Sequence, residues 1–507
     1  MIERGDIPSL VSRMWRLHLT DTMKFDNIHG YVKGERGLPS VPDDADDEVK
    51  EIRRISTHNV LTLVLDAFVQ NLSVVGYRSA QDADNAAAWA LWQANQMDAR
   101  QAELYSSAVK YGVGYCVVEP GDNGPVFRPR SPRQLLATYE DPHVDRWPQY
   151  ALETWIDTTD AKPRRRGILF DDRMAWPLDL GPVVPTKAAE DDGQAKRAVF
   201  SVGGRGIGKP VEHGAVLDGQ PVCPVVRYTN RRDAEDLVDG ELERLLKDQR
   251  AINEAAFDRM IVSRFGAFPQ TVLARWGSMP DDAREVLKAS MRRVWAFDED
   301  VQATRLPAAS LEPYNALIEE LQIHVAMRAQ VSPAYITGRM VNLSADALAA
   351  AEANMHRKLS AMRESHGESH EQLLRLGAAM AGEPIDPGES AEVIWRDTEA
   401  RSFGAIVDGL YKLGDALQKG FPIEPLLPLV PGVTQQQIAQ LKALAEKQRR
   451  LQEQASIADL IGNIRAGAAQ AEGEDPRVAE IAGRRGPVGA PNGGPAALAA
   501  ASQRNGG

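Results

Sequence analysis

EDLVDGELERLLKDQRAINEAAFDRMIVSR, residues 235–264, is the stretch on which the fold turns. It contains no proline, and Leu242, Leu245, Ile252, Ala256 and Met260 recur near one face, which is the apolar stripe of a helix and not of a strand. The spacing predicts one helix of about 30 residues, roughly 45 Å long at 1.5 Å per residue. That is long for a globular protein. Residues 266–310 then read as a compact insert: strand-like AFPQTVLARW, a helix opened by Ser278 and Pro280 with Asp281 and Asp282 in its first turn, and strand-like RVWAFDEDVQATRL. A second helix is expected from Glu312 to about Val331, with Pro313 near its start and Leu317, Leu321, Val325 and Arg328 along it. Two long helices around a small αβ insert make a stalk with a knob on its end.

Upstream, residues 1–80 read as helical with a polar interruption at VPDDADDEVKE. Its acidic run, Asp43, Asp44, Asp46, Asp47 and Glu48, is read as a solvated loop feeding a helix N-terminus, where carboxylates favour the dipole. NVLTLVLDAFVQNL mimics a strand ending in a metal-binding aspartate at Asp66, but Val60, Leu63, Val64, Ala67, Phe68 and Leu72 recur at helical spacing. An amphipathic pattern from Asp84 to Tyr111 gives way to the β-branched run GVGYCVVEP. Residues 113–228 read as short strands separated by turns such as GDNGP, EDPH and LDGQP, with Trp147, Trp155 and Trp176 as core or interface anchors.

Downstream, VSPAYITGRMVN reads as a loop punctuated by Pro333 and Gly338. The longest helical signal in the chain follows, capped by Asn342 or Ser344, with Leu348, Met355, Leu359, Met362, His366, Leu373, Leu376 and Met380 along it and a bend expected at Gly367. Strand-like EVIWRD comes next, then helices at about 402–419 and 434–455. The last stretch, rich in Ala, Gly, Pro, Gln and Arg without sustained periodicity, is expected to be disordered or to order on contact with partners. The fold class is α+β, mostly helical.

Composition narrows the function. Two cysteines, Cys116 and Cys223, offer neither a disulfide framework nor a metal cluster. No window reaches the roughly 18 uninterrupted apolar residues of a membrane span, and the N-terminus lacks the apolar core of a signal peptide. With 71 acidic against 59 basic residues, a formal charge of −12, the chain lacks the field that drives tight, salt-dependent nucleic-acid binding. A surface over which a polyanion slides avoids a dense array of Lys and Arg, so DNA passing nearby stays compatible.

The motifs that mimic chemistry are incomplete. GGRGIGKP, residues 203–210, fits the phosphate-binding pattern through Gly203, Gly208 and Lys209. Pro210 stands where a hydroxyl should ligate Mg²⁺, and Gly214, Gly219, Pro221 and Pro224 occupy the span where the helix should begin. It is read as a glycine-rich turn in a β-rich region, and a P-loop nucleotide-binding enzyme is kept as the disfavoured alternative. HGESH places His366 and His370 one helical turn apart, but Gly367 stands where a metalloprotease helix has Glu and no third ligand is evident; the pair is read as packed in a subunit or interhelical interface. KPRRRG, with Arg164, Arg165 and Arg166, is read as an exposed turn. The N-L-S acceptor sequence at Asn342 has no secretory route. No catalytic, cofactor-binding or metal-binding set can be nominated.

What survives is architectural: a stalked subunit whose amphipathic faces one chain cannot cover points to a symmetric assembly, and head-to-tail contacts around an axis close into a ring. Several stretches together carry a likeness: GYVKGERGLP, NVLTLVLDAFVQNLSVVGYR and AAWALWQANQMDARQAELYSSAVKYGVGYCVV, then PVVRYTNR, AINEAAFDRMIVSRFGAFPQ and NLSADALAAAEANMHRKL. In these, from about residue 10 to 455, the chain resembles the portal proteins of tailed double-stranded-DNA bacteriophages, particularly those of actinobacterial phages.

The resemblance implies a subunit of wing, stem, clip and crown, assembled as a ring of twelve around a central channel at one capsid vertex. It implies a wing at 1–235, stem helices at 236–265 and 311–331, a clip at 266–310 and a tunnel loop at 332–344. A long wing helix and strand at 345–401, a crown at 402–455 and a tail at 456–507 complete the chain. Arg339, Met340 and Asn342 of the tunnel loop would narrow the channel around the duplex, with sequence-independent contacts. The implied partners are the terminase large subunit, the major capsid protein and the head-tail adaptor, in a virion assembled in the host cytoplasm, with no cofactor, no membrane and no enzymatic activity.

Overall fold

Ile7, Leu10, Val11, Met14 and Trp15 return every three or four residues, and in the computed structural model they lie buried along α1 (Ile7–Val32), which Pro8 opens. The structure describes residues 2–79, 86–159, 162–183, 206–266, 271–274, 294–297, 310–339, 345–385 and 391–396, with residues 411, 412, 447 and 450. The chain divides into two units, Met1–Gln435 and Gln436–Gly507. In the second, the described residues Lys447 and Arg450 are helical. Among the described residues the fold is α+β.

Two short helices follow α1. α2 (Asp47–Ile55) has Asp47 and Glu48 in its first turn and Arg53 and Arg54 in its last, the charge order a helix dipole favours. α3 (Leu61–Val69) buries Leu61, Val64, Leu65, Ala67 and Phe68, so the strand-like run around Asp66 is a helix. After β1 (Val74–Ser79), the pattern from Asp84 to Tyr111 splits into α4 (Ala86–Ala94) and α5 (Met97–Tyr111), with Gln96 left-handed between them. Gly112, at φ 89°, ends α5.

Strands β2 (Val113–Glu119), β3 (Val126–Arg130), β4 (Leu135–Thr138), β5 (Tyr150–Asp157), β6 (Arg164–Phe170), β7 (Met174–Pro182) and β8 (Val211–Glu212) come next. β4 to β8 form one antiparallel sheet in sequence order. α1 lies on it, burying Leu10, Val11 and Met14 with Leu152, Leu169, Trp176 and Leu178. KPRRRG is therefore not an exposed turn. Arg164 to Arg166 begin the central strand β6, where Asp179 accepts Arg164 at 2.8 Å and Arg166 at 3.1 Å, and Arg165 stacks 4.6 Å above the Trp15 ring. Acids on neighbouring strands turn a basic run into cross-strand pairs. The hairpin of β9 (Val216–Leu217) and β10 (Gln220–Pro221) turns at Asp218 and Gly219, both at positive φ, as a two-residue Asp-Gly loop requires. β11 (Val225–Thr229) pairs with β2, which pairs with β3.

The long helix expected from residue 236 starts later. Residues 243–245 form a 3₁₀ turn and α6 runs from Leu246 to Gly266, about 32 Å at the usual rise. Tertiary contacts override the helical pattern ahead of it. Asp233 Oδ1 accepts from the N–H groups of Glu235 and Leu237 at 2.9 Å, Asp236 sits at φ 58°, and Arg232 bridges Val238. A Cβ on Gly240 would lie 2.3 Å from the Lys110 carbonyl oxygen, so the chain passes against α5 where only glycine fits.

β12 (Thr271–Ala274) and β13 (Val294–Phe297) pair in parallel, the two strands expected of the insert; its helix lies outside the described residues. α7 (Glu312–Ala329) returns antiparallel to α6, since Arg259 donates to Asn315 at 3.1 Å while Arg328 pairs with Asp248 at 2.6 Å. Ala255, Ala256 and Ile318 fill the seam. α8 (Pro333–Thr337) is a short helix where a loop was expected; Pro333 fits its first turn and Gly338, at φ 68°, ends it. α9 (Ala345–Met380) is the longest described helix, and β14 (Ala391–Trp395) pairs with β1. The caps proposed at Asn342 and Ser344, most of the predicted helices at 402–419 and 434–455, and the tail lie outside the described residues.

Lys358 of α9 joins these parts. Its ammonium forms an ion pair with Glu241, donates to the Ala329 carbonyl at the end of α7 at 3.0 Å, and sits 4.7 Å above the Phe68 ring of α3. Glu241 is fully buried and also accepts from Asn230 at 3.0 Å. Lys358→Met would strand the Glu241 carboxylate in the interior, a loss of about 3–5 kcal/mol for a broken buried pair. Urea unfolding is expected to show that loss, and to show less in Lys358→Met combined with Glu241→Gln.

Candidate functional sites

The described part of the phosphate-binding pattern, residues 206–210, lies along a sheet and leads into a strand, unlike a P-loop. Residues 203–205 lie outside the described residues. Ile207 is 4% exposed and bridges Leu178 of β7, Gly208 donates to the Pro177 carbonyl at 2.8 Å, and Arg4 donates to the Ile207 carbonyl at 2.6 Å. One backbone N–H that a phosphate cradle would use, that of Gly208, is thus spent on the sheet. After Lys209 and Pro210 comes the strand β8 and not a helix, so no helix N-terminus faces the segment.

The segment after α7 is built by its turns. Gln330, left-handed at φ 62°, stops α7, and Val331 N–H folds back onto the Ala326 carbonyl. Ile336 is buried in the main core and anchors α8, while Tyr335 is 43% exposed. Arg339 follows Gly338 in the open and forms an ion pair with Glu319 of α7. The two side chains are 73% and 33% exposed, so the pair adds little to stability and leaves the guanidinium reachable from solvent. Met340 and Asn342 lie outside the described residues, so of the three named tunnel-loop residues the structure places Arg339.

His366 and His370 lie fully buried on α9, against α5, β11 and β14. Tyr105 donates to Gln101 at 3.0 Å, so its oxygen accepts from His370 Nε2 at 2.7 Å. The Tyr228 hydroxyl then donates to His370 Nδ1 at 3.0 Å, which leaves that imidazole neutral with no lone pair for a metal. His366 stacks on Tyr105 at 5.5 Å, and neither of its nitrogens has a hydrogen-bond partner. Among the described residues, no three His, Cys, Asp or Glu side chains gather as a metal site. The pair joins helices to sheet, the interhelical role read from the sequence; the tyrosine partners were invisible there because they lie more than a hundred residues away in the chain.

Burial lowers the His366 pKa to about 4, and burial, then His366 itself, lowers that of His370 well below its usual value. Both rings ionise near pH 6.5 once unfolded, so the unfolded chain binds more protons as pH falls from 6.5 towards 4. Their contribution to stability is whole above that window and is lost through it, with a slope approaching about 1.4 kcal/mol per pH unit for each ring. Urea unfolding between pH 7 and pH 4.5 is expected to show a shallower pH dependence in His366→Gln, by about one proton.

The profile of the family described as phage portal protein, SPP1 Gp6-like, matches residues 203–454, which include α6, the insert strands, α7, α8 and α9. The chain is 24% identical over 381 residues to the portal protein of Mycobacterium phage D29, covering 69% of this chain and 71% of that protein. It is 23% identical over 393 residues to the portal protein of Mycobacterium phage L5, covering 72% and 74%. Among solved structures, a chain of the virion of a native gene transfer agent particle aligns at 10% identity with a TM-score of 0.40, over 80% of this chain and all of that one. A chain from the neck of the native particle, computed with C12 symmetry, aligns at 12% identity and the same TM-score, over 80% and 99%.

Proposed function

We propose that this chain, which belongs to the phage portal protein family, forms the ring-shaped channel at one capsid vertex through which a phage genome is packaged and ejected. The observation that carries the reading is the antiparallel pair α6 and α7 inside the matched region, with the β12–β13 insert between them in the chain and Arg339 paired with Glu319 partway along α7. In this reading α6 and α7 are the stem, the insert at 266–310 is the clip, and 332–344 is the tunnel loop. The N-terminal region to residue 235, together with 345–401, is the wing, and 402–455 is the crown. Twelve copies close the ring. The clip docks first the terminase large subunit and then the head-tail adaptor, and the wing meets the major capsid protein.

Arg339, Met340 and Asn342 then approach the duplex. A phosphate grip repeated around a ring multiplies through avidity and would stall translocation. The ion pair of Arg339 with Glu319 fits this requirement, because it half-neutralises the cation it presents. The net charge of −12 fits it too.

The portal family is structural, and the chain itself hydrolyses no nucleotide in this reading; ATP belongs to the motor that docks on it. The purified protein is expected to release no phosphate from ATP, and hydrolysis that disappears in Lys209→Ala would overturn that. Arg339→Ala is expected to leave unfolding free energy within about 1 kcal/mol, as for an exposed ion pair, while changing the amount of DNA packaged when the variant complements a portal-deficient phage. Unchanged packaging in Arg339→Ala and in Arg339→Glu would remove this residue from the channel.

A further inference from the structure

The end of α7, the turn after β11 and part of α9 line a cavity of about 290 Å³. Its charge is one-sided. Arg231, Arg357 and Lys358 line it against a single carboxylate, Glu241, in a chain whose net charge is −12. That carboxylate is spent, because it already takes the Lys358 ammonium and the Asn230 amide and has the Arg244 guanidinium 3.6 Å away. Arg231 and Arg357 are exposed, and neither forms an ion pair among the described residues. Both guanidinium groups are therefore reachable from solvent and uncompensated.

The excess reaches the interior. Burial lowers the Lys358 pKa, Glu241 raises it, and Arg244 and Arg231 lower it again. Like charges held beside a buried ammonium are unfavourable, and an anion in the cavity relieves them. Neutral donors line the same space. Arg357 Nη1 donates to Asn354 Oδ1 at 3.3 Å, which occupies that oxygen and leaves the Asn354 NH₂ to meet an anion. Gln330, exposed at the left-handed turn after α7, adds a second amide. The volume lies at the lower edge of small-molecule sites and suits one anionic group rather than a base and sugar. A planar carboxylate is satisfied by the fork of one guanidinium. A tetrahedral phosphate presents oxygens on several sides, and so takes two guanidinium groups from separate elements together with amide donors.

We propose that Arg231, Arg357, Asn354 and Gln330 form a phosphate-binding site, which takes inorganic phosphate or a backbone phosphodiester of nucleic acid. The two ligands share a tetrahedral anion, so either one meets the same donors. Lys358 adds its field while it remains paired with Glu241. The site rests on this cavity alone and does not involve Arg339, so it stands or falls separately from the channel.

The test titrates the full-length protein, at constant ionic strength and neutral pH, with sodium phosphate, sodium acetate, a capped diglutamate peptide and a short duplex DNA, following heat and the unfolding temperature. Phosphate is expected to bind saturably and at least tenfold more tightly than acetate or the peptide. It should also raise the unfolding temperature, as a ligand of the folded state does. Arg231→Gln and Arg357→Gln should each weaken phosphate at least tenfold, with circular dichroism unchanged and no fall in the unfolding temperature measured without phosphate. Arg250→Gln, at an exposed arginine that does not line the cavity, should bind phosphate as the unaltered protein does. Duplex DNA that displaces phosphate, and weakens by the same factor in both cavity variants, assigns the site to the nucleic-acid backbone. Phosphate that duplex DNA does not displace assigns it to the free anion, and either pattern supports the site. No phosphate binding at millimolar concentration, or unchanged affinity in both cavity variants, would overturn the proposal. So would acetate or the peptide binding as tightly as phosphate, which would make the cavity a carboxylate site.

Discussion

A lysine ammonium and a carboxylate taken out of water must stay together, and the Lys358–Glu241 pair imposes that constraint where the chain's distant parts meet. Lys358 belongs to the longest described helix, Glu241 to the approach to α6, Ala329 to the end of α7, Asn230 to the end of β11 and Phe68 to α3. Burial lowers the Lys358 pKa and Glu241 pulls it back up. A charge in that position tolerates little displacement of any of these elements, because each supplies a partner that water would otherwise supply. The same small region also receives Glu241 N–H on the Val109 carbonyl at 2.8 Å, which ties it to the end of α5.

From that fixed point the proposed stem and tunnel loop follow. α6 leaves just beyond Glu241, and α7 ends at the carbonyl that Lys358 holds. Gln330 then turns the chain into α8, and Ile336 pins α8 to the core. Arg339 is thus carried by a short, anchored segment and restrained by Glu319, while its guanidinium stays in solvent. A residue that touches a moving duplex needs this combination, a placed backbone and a side chain that is not buried.

Elements with strong internal periodicity were legible in the sequence. The stripe of α3, the strand around Val393, the Asp-Gly hairpin and the α7 helix each follow from neighbours within a few residues. What failed to show was set by contacts from afar. The pattern from residue 235 is helical by composition, but Gly240 against Lys110 and the Asp233 turn hold its first part out of the helix. Arg164 to Arg166 read as a solvated run because Asp179 and Asp157 face them only once the sheet forms. The tyrosine partners of His370 are likewise facts of packing, and only the incompleteness of the metal and phosphate motifs was written locally.

In the channel account, identical subunits put α6 and α7 side by side around an axis, so the assembly is what gives those helices a purpose. Particle imaging of the purified full-length protein tests this directly. The account predicts rings of about twelve subunits, with the α6–α7 pairs surrounding an open central channel. A compact monomer, or a ring whose channel is bounded by other elements, would contradict it.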